Sequence, residues 1–273
     1  MTHRTSQGHP IPLGSGWRPT FDEHRYRVAH LTHVTPAISE LILDPLDEGL
    51  THRAGQYLLL TDQEHRLPER SYSIANAPRE DRRLRLLITR YEDGRTSPWA
   101  SSLQPGETVT VEGPFGSLTL DEDRPRSTPT LLLAAGAGLA PLAALAEALL
   151  LDDDGGPVAL FTSARTEADM IDRDRYLRLA AEHPRLDYHP VLTRPTGRPR
   201  GARLPQRLSG LAPPEGLVGW DVFVAGPSGF VTAAQRAAVA LGAAPEAVYT
   251  EEFFADPVPR VGGPGVSGPA VSA

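Results

Sequence analysis

From residue 21 to about 120, apolar positions come in short β-type runs, each cut off by turn residues such as Gly, Pro, Asp and Asn. The runs predict strands over 25–31, 38–43, 57–61, 71–75, 84–91 and 108–112. Six strands at that spacing predict a small antiparallel β-barrel. Beyond residues 125–129 the rhythm changes. Strands are predicted at 130–135, 158–163, 186–192, 221–225 and 247–250, alternating with helices at 142–151, 170–182, 204–208 (weak) and 230–241. That alternation predicts an α/β domain whose five-stranded parallel sheet is covered on both faces. Both chain ends are rich in small and turn-forming residues. The expected organisation is therefore an extended arm over 1–17, a barrel domain over 18–124, an α/β domain over 125–254 and a disordered tail over 255–273.

At 273 residues the chain can bury two modest cores. Its 40% hydrophobic and 22% charged residues, with no apolar run near the ~20 residues that cross a bilayer, describe a soluble globular protein. The first 16 residues do not read as an export signal, so a cytoplasmic location is expected. The absence of cysteine excludes disulfides, and also any thiolate-ligated iron–sulfur cluster within the chain. A formal charge of -7 with scattered basic residues argues against a nucleic-acid partner. No metal site is read, and a monomer is expected.

Chemistry is suggested by six short stretches. Arg70-Ser71-Tyr72-Ser73 enters a strand. A flavin needs an aromatic surface, a hydrogen-bond partner at its hydride-accepting nitrogen and a cation near its phosphates, and Tyr, Ser and Arg can supply these. In a strand, Arg70 and Tyr72 share one face and Ser71 and Ser73 the other unless the strand bulges. Gly94-Arg95-Thr96-Ser97, in a loop before a helical turn, offers amides and two hydroxyls to a pyrophosphate, or is a plain hairpin loop. Gly113-Pro114-Phe115-Gly116 reads as a tight structural turn.

Ala134-Ala135-Gly136-Ala137-Gly138-Leu139-Ala140-Pro141 joins an apolar strand to a helix, so its glycines can let the backbone approach a dinucleotide. It lacks the third glycine of the Rossmann fingerprint and has Pro141 at the helix start. Ala225-Gly226-Pro227-Ser228-Gly229-Phe230 repeats the strand, turn and helix pattern where open α/β sheets place ligands. Tyr249-Thr250-Glu251-Glu252-Phe253-Phe254 ends the last strand with aromatics and carboxylates, which either serve a flavin or close the core.

In order and spacing these stretches together resemble the ferredoxin–NADP reductase superfamily over about residues 18–254. The resemblance implies FAD, with NADH or NADPH as donor. It implies that Arg70 contacts a flavin phosphate, that Tyr72 stacks on the ring and that Ser73 reaches its N5 edge. Arg90, Gly94, Thr96 and Ser97 match the pyrophosphate stretch. Gly136, Gly138 and Pro141 match the nicotinamide turn, Gly226 and Pro227 the second dinucleotide turn, and Glu251 with Phe253 the closing element. Tyr72, Ser73, Glu251 and Phe253 are the implied catalytic group. The opening His9-Pro10-Ile11-Pro12-Leu13-Gly14-Ser15-Gly16-Trp17 and Gly229-Phe230-Val231 are similar to stand-alone bacterial FAD-binding reductases without a ferredoxin domain, some of which accompany molybdopterin oxidoreductases. One departure is that the family usually carries cysteine where this chain has Ala225.

The function so implied is hydride transfer from NAD(P)H to FAD, then single-electron delivery to a separate acceptor: a ferredoxin, an oxygenase or a molybdopterin oxidoreductase. A free-flavin or ferric reductase of the same fold stays open, as does a non-catalytic flavin-binding subunit, which Ala225 mildly favours. Arg79, Arg82, Arg83 and Arg85 are either a docking patch for an acidic carrier or a solvated hairpin mixed with Glu80 and Asp81. Ser163, Arg165, Arg173, Thr193 and Arg194 could bind a 2'-phosphate, which leaves NADH and NADPH undecided.

Overall fold

The computed structural model describes residues 22–91, 95–195, 201, 207–210 and 216–253. The expected arm and tail, the stretch from His9 to Trp17, Gly94 and Phe254 lie outside the described residues.

The first half contains β1 (Glu23–His33), β2 (Ile38–Pro45), β3 (Tyr57–Asp62), β4 (Arg70–Ser73), β5 (Leu84–Thr89), the short α1 (Thr96–Ala100) and β6 (Thr108–Phe115). The strands form one antiparallel sheet in the order β4-β3-β6-β1-β2-β5. Its two edges meet just past β4, where Ile74 bridges Leu86 and the Ala75 amide donates to the Arg85 carbonyl at 2.7 Å, closing a barrel. Because residues two apart share a face, Leu41 and Leu43, Leu58 and Leu60, and Val109 and Val111 all reach the same interior. The turn expected at residues 113–116 needs correction. Gly113 to Phe115 continue β6, with Phe115 paired to Tyr57, and only Gly116 turns, at φ 97° with the Tyr57 ring so close that a Cβ would lie 2.9 Å from it.

The second half contains β7 (Thr130–Ala135), α2 (Leu139–Leu150), β8 (Val158–Ala164), α3 (Arg173–Glu182), β9 (Leu186–Leu192), β10 (Asp221–Pro227), α4 (Ser228–Ala240) and β11 (Val248–Phe253). These strands form a parallel sheet in the order β11-β10-β7-β8-β9. Period-two alternation sorts the central strands between two cores. Leu132 and Ala134 of β7 face α2 with Phe223 and Ala225 of β10, whereas Leu131, Leu133, Val222 and Val224 face α4. Helix α2 is apolar nearly all round, as a helix covered on several sides must be. The sheet covers one side, and the barrel residues Ala54, Ala75, Leu87 and Leu118 belong to the same apolar cluster. One core thus runs through the seam between the domains.

Three predicted helices differ from what forms. Helix α2 starts at Leu139, earlier than expected, because Gly136–Gly138 makes a 3₁₀ turn that leads into it; Pro141 falls in the first turn, where its missing N–H costs no helical bond. Helix α3 starts only at Arg173, because Asp172 adopts a left-handed backbone (φ 54°) that an α-helix cannot contain. Of the weak helix over 204–208, residues 204–206 lie outside the described residues, Arg207 is helical, and Leu208–Gly210 forms a 3₁₀ turn.

Candidate active site

Strand order reverses direction between β7 and β10, the first and fourth strands of the parallel sheet. The crevice beyond their carboxyl ends is where such sheets hold ligands. Gly136 follows β7 there, at φ 57° with open space where a side chain would begin, so its backbone is free to be approached. Gly138 plays a different part from the one expected. A Cβ on it would lie 2.1 Å from the Ala225 carbonyl oxygen, so this glycine lets the start of α2 press on β10 and is spent on packing. Gly226 has φ 152° and sits against Ala135 and Phe230, tying the second turn to the first. Pro227 ends β10 in register with Phe253 of β11.

The barrel delivers its motif to the same place. Tyr72 is half-buried against the barrel core, and burial pushes its hydroxyl up to about 12. Ser71 is exposed, while Ser73, on the same strand face, is buried. The α/β domain makes that difference: Ser73 Oγ donates to Glu251 Oε1 at 2.6 Å, a contact between residues 178 apart in the chain. Burial raises the Glu251 carboxyl above its ordinary 4.5, and the hydrogen bond from Ser73 opposes that rise. Glu251 pairs in register with Ala225, which is fully buried between it and Ala134. Strand β11 runs on to Phe253, so Glu251 and Phe253 are strand residues and Phe253 packs on the seam core.

The remaining expected site residues are arranged as follows. Arg90 donates its guanidinium to the Pro36 carbonyl. The hydroxyls of Thr96 and Ser97 both bond backbone carbonyls. Thr96 Oγ1 donates to the Pro68 carbonyl at 2.7 Å and Ser97 Oγ to the Thr89 carbonyl at 2.6 Å, so both buried hydroxyls are engaged in shaping the loop. Arg165 and Arg194 are exposed neighbours at the ends of β8 and β9, joined by an Arg194 amide to Arg165 carbonyl bond of 2.7 Å. The Arg165 side chain also faces Asp169.

Three of the four arginines at 79–85 are paired with acids. Arg85 is buried and donates to Glu40 at 2.6 Å and to Asp172 at 2.7 Å. Burial works to lower its pKa, and the two carboxylates outweigh that and raise it. Arg83 pairs with Asp44 at 2.7 Å, and Arg79 reaches Glu147 at 3.5 Å. The charges of Arg79, Arg83 and Arg85 are paired within the chain, and two of these three bind the α/β domain. Sequence spacing could not show this, because the acids come from 39 to 87 positions away.

The donor set suits a flavin and a dinucleotide: an aromatic ring, a hydroxyl and a cation on one strand of the barrel, whose Ser73 bonds Glu251 of the α/β domain, and a glycine turn open to approach at the end of β7. Residues 29–120 match the oxidoreductase FAD-binding domain family, and residues 132–236 match the oxidoreductase NAD-binding domain family. Ferredoxin–NADP reductase B of Sorangium cellulosum is 31% identical over 83% of this chain and 96% of its own length. The chain belongs to the ferredoxin–NADP reductase superfamily.

Another relative in the superfamily is the reductase subunit of an aromatic O-demethylase from Amycolatopsis sp., 33% identical over 78% of this chain and 64% of its own length. The crystal structure of an Amycolatopsis cytochrome P450 reductase superposes with a TM-score of 0.76 at 27% identity, covering 86% of this chain and 72% of that one. The chain spans 60% to 64% of the length of two such reductase components, those of the O-demethylase and of a naphthalene dioxygenase system. It therefore carries an FAD-binding and an NAD-binding domain of the superfamily fold. No helix among the described residues is long and apolar enough to cross a membrane.

Proposed function

We propose that this chain is an NAD(P)H-dependent, FAD-containing reductase that accepts hydride from the dinucleotide and passes electrons singly to a separate acceptor. The observation that carries the reading is the 2.6 Å bond between Ser73 and Glu251. It brings the flavin-type strand of the barrel to the end of the parallel sheet, at the crevice where a nicotinamide would lie. FAD supplies the hydride acceptance and the conversion of two-electron into one-electron transfer.

The protein supplies alignment and proton handling. Arg70 and Arg90 would hold phosphate oxygens by charge-assisted bonds, with Thr96 and Ser97 holding the loop beside them through their bonds to the Pro68 and Thr89 carbonyls. Tyr72 presents an aromatic face, and Phe253 excludes water from the opposite side. Gly136, Gly138, Pro141, Gly226 and Pro227 shape the dinucleotide turns, and exposed Arg165 and Arg194 would meet its outer phosphates. Ser73 Oγ keeps its proton and donates a hydrogen bond to Glu251 Oε1, and Glu251, its carboxyl raised by burial, is the group placed to take up and release a proton beside it.

Likeness to the reductase subunit of the O-demethylase and to other oxygenase reductase components supports a ferredoxin or an oxygenase as acceptor, and the motif resemblance keeps a molybdopterin oxidoreductase as a third candidate. A monomeric state and a cytoplasmic location complete the reading, to be checked by sedimentation and by fractionation of the producing cell. The test of the whole is an anaerobic titration of the FAD-loaded protein. Stoichiometric bleaching of the flavin absorbance by NADH or NADPH is expected, and an unchanged spectrum with both refutes it.

A further inference from the structure

The segment between β8 and α3 forms one wall of a shallow cleft. Asp169, Met170 and Ile171 line it opposite Gly136 and Leu139, with the end of β8 beside them. The segment is pinned at both ends. At its start the Thr166 and Asp169 side chains cap one another's turn, and Thr162 Oγ1 touches the Met170 sulfur at 3.3 Å. At its end stands Asp172, in the left-handed backbone region at φ 54°, ψ 21°. An aspartate tolerates that conformation better than most residues, but it persists only where its surroundings hold it.

What holds Asp172 comes from the other domain. Arg85 of β5 reaches across the seam to its carboxylate at 2.7 Å, while Arg175 approaches the same oxygen at 3.5 Å. Arg85 is itself fixed by Glu40 within the barrel, and all three groups are largely buried. Arg175 also pairs with Glu147 of α2, which accepts the Ala77 amide of the barrel at 2.9 Å. A chain of ion pairs therefore leaves the barrel at Arg85 and re-enters it at Ala77. Removing a partner from a buried pair leaves an uncompensated charge, so the bridge acts as a firm clamp.

We propose that Asp172 is a positioning residue for the dinucleotide. Clamped by Arg85, it fixes the wall formed by residues 169–171, so that the barrel domain sets the shape of the cleft in the α/β domain. The inference rests on the reading of that cleft as the dinucleotide site and adds the device that tunes it. The two domains are coupled in both directions: whatever strengthens the clamp tightens dinucleotide binding, and bound dinucleotide tightens the seam.

The test is calorimetric titration of the full, FAD-loaded chain with NADP⁺ and NAD⁺, on wild type, Asp172→Gly, Asp172→Asn and Arg85→Met, beside melting temperature and flavin content. Asp172→Gly is the deciding variant, because glycine takes the left-handed backbone without strain and deletes only the clamp. Its Kd is expected to rise about 5- to 10-fold with flavin content retained, and in turnover the loss falls on KM more than on kcat. Asparagine tolerates the same backbone and still accepts a bond from Arg85, so Asp172→Asn should recover most of the affinity. A glycine variant that binds like wild type overturns the proposal, even if Arg85→Met fails to fold. Wild type that binds neither dinucleotide overturns the reading of the cleft itself, and the two failures are thereby told apart.

Discussion

Replacing Ser73 with Ala removes the donor of the 2.6 Å bond to Glu251 and leaves that carboxyl in its buried place at the seam. A hydrogen bond to an ionised group contributes about 1.5–3 kcal/mol. For a protein of this size, at about 2–4 °C per kcal/mol, such a loss lowers the melting temperature by roughly 3–12 °C. The pH dependence has a defined sign. The Glu251 carboxyl is raised above its ordinary 4.5, so the stability tied to this group is complete below that value and is lost as pH rises through the folded-state pKa. The Ser73 hydroxyl opposes the rise, so Ser73→Ala makes the loss between acid and neutral pH larger. A double-mutant cycle of Ser73→Ala with Glu251→Ala, followed by denaturant unfolding at neutral pH and again near pH 4, isolates the pair. The coupling should be about 1.5–3 kcal/mol at neutral pH and fall towards the roughly 0.5–1.5 kcal/mol of a neutral bond in acid. Additive single variants at both pH values would refute the argument, since two groups bonded across the seam cannot be independent. Under anaerobic mixing with whichever of NADH and NADPH reduces the wild type, the same Ser73→Ala variant should reduce its flavin at least ~100-fold more slowly, at unchanged flavin content.

Three more outcomes follow from the geometry. Gly138→Ala should cost about 3 kcal/mol or more in thermal unfolding, because its methyl meets the Ala225 carbonyl at 2.1 Å, whereas Gly136→Ala should cost only ~1–2 kcal/mol of backbone strain. Tyr176→Phe should hold or raise the melting temperature, by up to about 1 kcal/mol equivalent, because the Tyr176 hydroxyl is buried without a hydrogen-bond partner among the described residues. Ala225→Cys, placing a thiol between Glu251 and Ala134, should speed flavin reduction several-fold in stopped-flow absorbance; an unchanged rate would show that the site works fully without sulfur.

Period-two runs and the later alternation of strand with helix made the barrel and the parallel sheet legible in the chain itself, because burial of one face or of two leaves its mark on every second residue. Short motifs pointed to β4 and to the two glycine turns for the same local reason. Boundaries were less legible: α3 is short by three residues because a single aspartate is held left-handed by an arginine 87 positions away. Gly138 was recognisable as necessary but not as a packing glycine, since the atom that excludes its side chain belongs to β10. The hydroxyls of Thr96 and Ser97 and the arginines of the β4–β5 hairpin took their partners from distant segments, as did Ser73 from Glu251. Which local pieces exist was determined by sequence alone, because secondary structure answers to neighbours along the chain. Which polar group meets which was decided only by the tertiary structure, because hydrogen bonds and ion pairs act over a few ångströms of space, whatever the distance along the chain.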